Sequence, residues 1–263
     1  MKINLLHTSP VLNFGKVFDV RKIKNLHCPI CGSMMFNHEQ SSQFCKEMSK
    51  ATGNELIEVI EKYENLNSSD NSNLPVFNSK QQEILNRIKS AAKDNEEMDL
   101  EDIVYYLGEE VAYKYSSFST REILSNYRTS YYDSKPILND EDYAEVFFLN
   151  CRNKGFSSYE VARDFIKNKY PTIEHIVPAS KSGKNDKSNY LCDCNECNGL
   201  RGSMPFDDWI KNIPNFENNL QIQINEINKA LSSSTLDKSY STYPKALVET
   251  INELSQRKIN IIV

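Results

Sequence analysis

The stretch PTIEHIVPASKSGKNDKSNYLCDCNECNGLRG, residues 171–202, decides the fold. It opens on a short β-like run that Pro178 closes, and a turn-rich segment of Lys, Ser, Gly and Asn follows. NYLCD is a second short β-like run, and the residues after it suit a helix that ends near Gly202. The stretch therefore predicts a small β-containing module with a helix attached.

The rest of the chain has the apolar spacing of helices. Leu100, Ile103, Val104 and Leu107, for example, follow the i, i+3, i+4 pattern. The polar segment NSSDNSNLP, 67–75, is a clear break. Helices are predicted over 40–65, 79–93, 98–115, 118–127, 140–152 (capped by Asp140), 157–168 (capped by Ser157 or Ser158), after 215, and over 243–258.

Composition limits the class of protein. The chain has 263 residues, 39% hydrophobic and 25% charged, as expected for an ordinary globular protein. Its formal net charge of −5 argues against a protein that coats nucleic acid by bulk charge. No stretch approaches the roughly 20 apolar residues of a membrane helix, and the N-terminus does not resemble a signal peptide. The expected location is the cytoplasm.

Two Cys-x-x-Cys pairs stand out, Cys28/Cys31 and Cys194/Cys197. Because seven cysteines in a reducing compartment favour metal binding over disulfides, we expect the pairs to enclose one tetrahedral structural Zn²⁺. This zinc knot ties the N-terminus to the C-terminal part of the chain. The alternative is that both pairs are ordinary core cysteines. The remaining cysteines lack such spacing and are predicted to be inert packing residues: Cys45, Cys151 and Cys192.

The pentapeptide EHIVP, 174–178, sets a carboxylate beside a histidine. Histidine titrates near neutral pH and takes a proton from water readily, and a carboxylate is a hard ligand for a divalent cation. Taken alone, a Glu–His pair on a surface is more often simply solvated. Its position changes this interpretation, because Asn189 follows His175 by 14 residues and Asn198 directly follows the second Cys-x-x-Cys.

The order carboxylate–His, loop, Asn, Cys-x-x-Cys, Asn, basic residue resembles the HNH endonuclease family. The resemblance covers residues 171–203 and extends to Cys28 and Cys31 through the zinc site. It implies a β-hairpin and a helix around one catalytic metal. The predicted fold class is therefore mainly α with an embedded small ββα-metal (HNH) module. The implied reaction is hydrolysis of phosphodiester bonds in nucleic acid, with DNA as the favoured substrate. It leaves a 5′-phosphate and a 3′-hydroxyl.

The resemblance also implies residue roles. His175 is the general base that activates water, and Asn189 fixes the hairpin and the orientation of the His175 ring. Glu174, where the family more often has Asp, and Asn198 hold a catalytic Mg²⁺ or Mn²⁺. Arg201 neutralises the phosphate. The resemblance gives no role to residues 40–165.

Lysines surround this segment and form a local basic patch in an acidic chain. Together with Arg201, they are candidates for phosphate contact: Lys181, Lys184 and Lys187. For any one of these lysines, an equal alternative to phosphate contact is that it only keeps the loop soluble. Trp209 is predicted to be a packing anchor of the module rather than a base-stacking residue.

Four regions are predicted: an N-terminal segment with the first zinc knuckle (1–39), a helical insertion (40–169), the HNH module (170–212) and C-terminal helices (213–263). The insertion is a candidate docking region for a regulatory ATPase or another protein subunit. In its size and in the long sequence separation of its cysteine pairs, the chain is similar to the HNH nuclease subunits of Septu-type and retron-linked anti-phage systems. The alternative function is a zinc-stabilised nucleic-acid-binding or adaptor protein with an inactive nuclease fold.

Overall fold

Helices dominate the computed structural model, which describes residues 19–66, 75–115, 139–178, 181–202, 204–255 and 261–262. The helix predicted over 118–127 lies outside these residues. The helices before the hairpin are α1 His38–Met48, α2 Gly53–Glu64, α3 Ser79–Asp94, α4 Leu100–Lys114, α5 Asp140–Lys154 and α6 Ser158–Ile166. Those after it are α7 Asn195–Arg201, α8 Phe206–Ile210, α9 Phe216–Ser232 and α10 Tyr243–Ser255.

Side-chain caps explain where several helices begin. Asn78, Asp99 and Asn139 each accept a hydrogen bond from the backbone N–H three residues later, which satisfies one of the free donors at a helix start. The cap of α5 is therefore Asn139, one residue before the predicted Asp140. At α6 the predicted cap is confirmed, since Ser157 forms a capping box with Glu160.

The segment predicted as one helix over 40–65 is two helices. α1 ends at Met48 and α2 begins at Gly53, whose φ is +44°. A Cβ at Gly53 would lie 2.3 Å from the carbonyl oxygen of Glu96, so no other residue fits this close approach. The break lets both helices pack on one core, where a continuous helix would carry the second half away from it.

The β-structure is a two-stranded antiparallel sheet. β1 is Pro171–His175 and β2 is Tyr190–Cys194, paired so that His175 lies opposite Tyr190 and Pro171 opposite Cys194. α7 starts directly where β2 ends. The predicted fold class is confirmed: a mostly helical chain with an embedded ββα unit.

Among the described residues, two large hydrophobic clusters form most of the core, and a small third one contains Val111 and Leu149. The first joins the N-terminal knuckle, the hairpin and the C-terminal helices, with Leu26, Leu191, Leu220 and Leu247 almost fully buried in it. The second fills the helical region and is rich in stacked and edge-to-face phenylalanines. Among the described residues, no helix is both long and apolar enough to span a membrane.

One buried side chain connects three parts of the first cluster. Gln223 of α9 is fully buried, and its Nε2 donates to the carbonyl oxygens of His27 and Cys192, both at 2.7 Å. Glu226, one turn later, accepts from the backbone N–H of His27 at 2.8 Å. α9 thus holds the first cysteine pair's segment against β2.

We expect Gln223→Leu to lower the free energy of unfolding by about 2–4 kcal/mol, because it leaves two buried carbonyl oxygens without their donor. Urea denaturation measures the change. The matched control is Gln221→Leu on the same helix, whose hydrogen bonds to Asn225 and Ile262 are exposed. We expect that control to change stability by less than about 0.5 kcal/mol. Equal losses in both variants would contradict the assigned role of Gln223.

Candidate metal centre and active site

The two cysteine pairs meet in space. The sulfur atoms of Cys28, Cys31, Cys194 and Cys197 all lie within 4.8 Å of one another. The Cys31 and Cys194 sulfurs are 3.9 Å apart, although the residues are separated by 163 positions. Tetrahedral zinc with Zn–S bonds of ~2.3 Å sets its sulfurs ~3.8 Å apart, so the spacing fits one Zn²⁺.

The electrostatics of the cluster also suit a cation. Burial raises the pKa of Cys28 well above its ordinary value, whereas hydrogen bonds with Cys194 and Cys197 lower the pKa of Cys31 well below it. Cys31 therefore gives up its proton more readily than Cys28 does. A bound divalent cation removes the need for any thiol to stay protonated.

A buried lysine adds positive charge beside the cluster. Lys169 is 1% exposed, its charge lowers the pKa of Cys31, and its Nζ lies 5.9 Å from the centre of the Phe77 ring. No acceptor among the described residues bonds this ammonium. Because a four-thiolate Zn²⁺ complex is formally dianionic, Lys169 would partly neutralise one held by these cysteines. Nothing in the cysteine spacing identified this residue.

The other three cysteines lie in the hydrophobic core, outside the cluster: Cys45, Cys151 and Cys192. Burial raises the pKa of Cys45 to about 11 and that of Cys151 to about 12, and it raises that of Cys192 further. All three are protonated near neutral pH. They have the properties expected of inert packing residues.

Asn189 fixes the hairpin loop. Its buried side chain accepts from the backbone N–H of Val177 at 2.8 Å and donates to the carbonyl oxygens of Val177 at 2.9 Å and Lys184 at 2.8 Å. Gly183 permits the tight return, since a Cβ there would lie 1.8 Å from the Val177 carbonyl oxygen. Asn189 thus holds together the two ends of the loop that follows His175.

His175 is the last residue of β1 and is partly exposed. Its ring meets the Tyr190 ring edge-on, with centroids 5.0 Å apart, and its Nε2 lies 3.4 Å from Oδ1 of Asn185. The Tyr190 hydroxyl donates to that same Asn185 oxygen. Asn185 and Tyr190 therefore both contact the ring, while the Asn189 side chain bonds the loop backbone. That Asn189 orients the ring stays a prediction.

Glu174 forms an ion pair with Arg201 on the helix side of the hairpin. Burial raises the pKa of Glu174, and the charge of Arg201 opposes that shift. The Arg201 side chain is only 1% exposed. Its Nη1 also donates to the His175 carbonyl at 2.7 Å, its Nη2 to that of Ile176 at 3.1 Å and its Nε to that of Met204 at 3.0 Å.

These bonds bear on the predicted role of Arg201. A guanidinium that is buried and already donates to a carboxylate and three carbonyls is poorly placed to contact a phosphate. The geometry favours a positioning role, in which Arg201 holds Glu174 and the end of β1. The sequence shows only a basic residue after the second Cys-x-x-Cys. This pattern does not distinguish phosphate contact from positioning of Glu174.

Asn198 lies in α7, one residue after Cys197. Its Nδ2 donates to the hydroxyl of Thr172 at 3.1 Å and to the carbonyl oxygen of Ile173 at 3.4 Å. Both acceptors belong to β1, so the amide lies against the same strand that carries Glu174. The hard oxygens of Glu174 and Asn198 are donors that suit Mg²⁺ or Mn²⁺.

The three lysines differ in their surroundings. Lys181 and Lys184 are exposed on the hairpin loop. The Nζ of Lys187 instead lies 3.7 Å from the centre of the Tyr240 ring and donates to the carbonyl and hydroxyl oxygens of Ser239. Lys187 therefore links the hairpin to the C-terminal region and is the least available for phosphate contact. Trp209 is 7% exposed, as expected of a packing anchor.

Part of the chain matches a known protein family. Residues 150–203 match the family model described as HNH endonuclease. The predicted resemblance is confirmed over this segment, which is similar to an HNH endonuclease domain. The match includes Glu174, His175, Asn189 and the second cysteine pair, and it leaves most of the helical region uncovered. Neither the curated proteins nor the solved structures contain a match to the chain.

We expect purified protein to contain about one zinc per chain and Cys194→Ser to lose it, because four thiolates hold the ion together. Elemental analysis measures the ratio. The control is Cys45→Ala, a buried cysteine outside the cluster, which should keep its zinc. Zinc retained by Cys194→Ser, or lost equally from both variants, would contradict the four-cysteine site.

Proposed function

We propose that the ββα unit is the active site of a metal-dependent endonuclease that hydrolyses phosphodiester bonds, with DNA as its favoured substrate. The observation that carries this proposal is the arrangement at the end of β1, within the segment that matches the HNH family. There a carboxylate that is partly buried, Glu174, adjoins a partly exposed imidazole, His175, while the Asn198 amide lies against the same strand.

In this proposal His175 is the general base. Successive side chains of a strand point in opposite directions, so Glu174 and His175 leave β1 on different sides. A phosphodiester lying across the end of the strand reaches both. The imidazole takes the proton of the attacking water, and Tyr190 and Asn185 keep the ring oriented during the attack.

Glu174 and Asn198 are the proposed ligands of the catalytic metal. A bound Mg²⁺ or Mn²⁺ supplies positive charge that stabilises the transition state and the departing oxygen. Arg201 holds the Glu174 carboxylate in place through their buried ion pair. The soft cysteine thiolates suit Zn²⁺ instead, so we propose a structural zinc that is separate from the catalytic metal.

We expect the wild-type protein to cut plasmid DNA with Mg²⁺ or Mn²⁺ and to stop when EDTA is added. His175→Ala should cut ~10²–10⁴-fold more slowly, the usual contribution of a general base. Gel electrophoresis of supercoiled plasmid measures the rate. The matched control is His38→Ala, an exposed histidine at the start of α1, which should cut like wild type.

Two results would contradict this assignment. Cutting that survives in His175→Ala would mean that another group is the base. Absence of cutting in the wild type, with zinc present and the protein folded, would favour the alternative of a zinc-stabilised binding protein with an inactive nuclease fold.

Lys181 and Lys184 are the proposed phosphate contacts of the loop. They are exposed on the loop that follows His175, whereas Lys187 contacts Tyr240 and Ser239. Lysines at such positions bind DNA through its backbone and release counterions, so their contribution is independent of sequence and sensitive to salt.

We measure DNA binding in the His175→Ala variant, which should cleave too slowly to consume the probe. In this background we expect Lys181→Ala and Lys184→Ala each to weaken DNA binding. Each should reduce the salt slope of log K by ~0.9, the value for one phosphate contact. Fluorescence anisotropy over a range of salt concentrations measures it. Lys50→Ala, an exposed lysine of the helical region, is the control and should leave the slope unchanged. An unchanged slope in all three variants would leave the loop without a role in binding.

The cellular context stays a prediction from the sequence. It comprises a cytoplasmic location, a role in bacterial anti-phage defence and a regulatory ATPase or other subunit docked on the helical insertion. In that region α4 exposes the rings of Tyr105, Tyr106 and Tyr113, which are 55%, 48% and 85% exposed. Aromatic residues are enriched at protein interfaces.

A further inference from the structure

Thr172 is the second residue of β1, and its hydroxyl hydrogen has two possible acceptors, both on Asp193. The hydroxyl donates to Oδ1 of Asp193 at 2.9 Å and to the Asp193 backbone carbonyl at 3.1 Å. Asp193 pairs directly opposite Thr172 in the hairpin. Because a hydroxyl has a single hydrogen, this one is directed at Asp193 whichever acceptor takes it.

The lone pairs of the same hydroxyl face Asn198. Its amide lies 3.1 Å away, and only a donor can meet a lone pair, so the amide turns its nitrogen toward Thr172. The Ile173 carbonyl, 3.4 Å from the same nitrogen, also requires a donor. Two acceptors therefore select one of the two orientations that an amide can adopt.

We propose that Thr172 is a positioning residue for the catalytic metal, holding the Asn198 amide so that its oxygen faces the metal. The inference rests on the proposed function, in which Asn198 is a ligand. An amide turned the other way would present an NH₂ group, which cannot ligate a cation. Partners outside the ligand shell commonly fix ligands in this way.

The buried carboxylate of Asp193 gives this network its rigidity. Asp193 is 0% exposed, and no donor among the described residues bonds its Oδ2. An apolar residue at this position would avoid the cost of burying that oxygen. Asp193 precedes Cys194, so the structural metal cluster holds the residue that directs the Thr172 hydrogen. A chain of covalent and hydrogen bonds therefore connects Cys194 of the cluster through Asp193 and Thr172 to Asn198.

The test compares Thr172→Val, which keeps the side-chain volume and removes the hydroxyl, with Thr172→Ser, which keeps the hydroxyl. Mn²⁺ binding to the zinc-loaded protein is measured by the electron paramagnetic resonance signal of free Mn²⁺. Cleavage is titrated with Mn²⁺ in parallel. We expect Thr172→Val to raise the Mn²⁺ dissociation constant ~10-fold or more, as for loss of an outer-sphere partner. Thr172→Ser should stay close to wild type.

Zinc content and thermal unfolding show whether Thr172→Val is folded. If it is not, Thr172→Val combined with Asp193→Val replaces it, because removing both partners spares the protein an unbonded buried carboxylate. A wild-type protein that binds Mn²⁺ and cuts, with a folded valine variant of equal Mn²⁺ affinity, would overturn the inference alone. A folded wild type that neither binds Mn²⁺ nor cuts would overturn the proposed function and, with it, the inference.

Discussion

The structure depends on the meeting of four cysteine sulfurs from opposite parts of the chain. Cys31 and Cys194 are 163 positions apart, and their sulfurs lie 3.9 Å apart. Cys194 ends β2 and caps α7, while Cys197 lies in the first turn of that helix. One ion held by these four cysteines would therefore fix the angle between the hairpin and the helix that carries Asn198 and Arg201. A seven-residue helix is too short to hold its place by itself.

The second constraint is the buried ion pair of Glu174 and Arg201. A buried guanidinium without a carboxylate partner is costly, as is a buried carboxylate without a cation. Arg201 joins the end of α7 to the last residues of β1 through the carbonyls of His175 and Ile176. The Arg201 side chain thus bonds both the proposed metal ligand, Glu174, and the backbone of the proposed base, His175, and it anchors the helix to them. Loss of Arg201 is expected to disturb all three together, whereas loss of an exposed lysine affects substrate alone.

Sequence reasoning found the features that depend on local spacing. The cysteine pairs, the order of Glu174, His175 and Asn198, and most helices follow from short-range patterns. The break between α1 and α2 is not predicted because apolar spacing continues through it. The structure shows it through the positive φ of Gly53 and the close approach of this residue to Glu96. Partners across the hairpin require its register, so Tyr190 opposite His175 and Asp193 opposite Thr172 were not predicted.

The spacing of residues in the sequence also does not predict which basic side chains are buried. Arg201, Lys187 and Lys181 look alike in sequence, and the structure separates them as buried, ring-bound and exposed. Lys169 reads as one of several lysines before β1, yet it is buried beside the cluster. Such differences arise from tertiary packing, which depends on residues distant in sequence.

X-ray absorption spectroscopy at the zinc edge tests the central claim that four thiolates from two distant pairs hold one structural zinc beside the active site. The account predicts a single shell of four sulfur atoms at ~2.3 Å, unchanged when Mn²⁺ is added. A shell containing nitrogen or oxygen at ~2.0–2.1 Å, or folded protein without zinc, would contradict it.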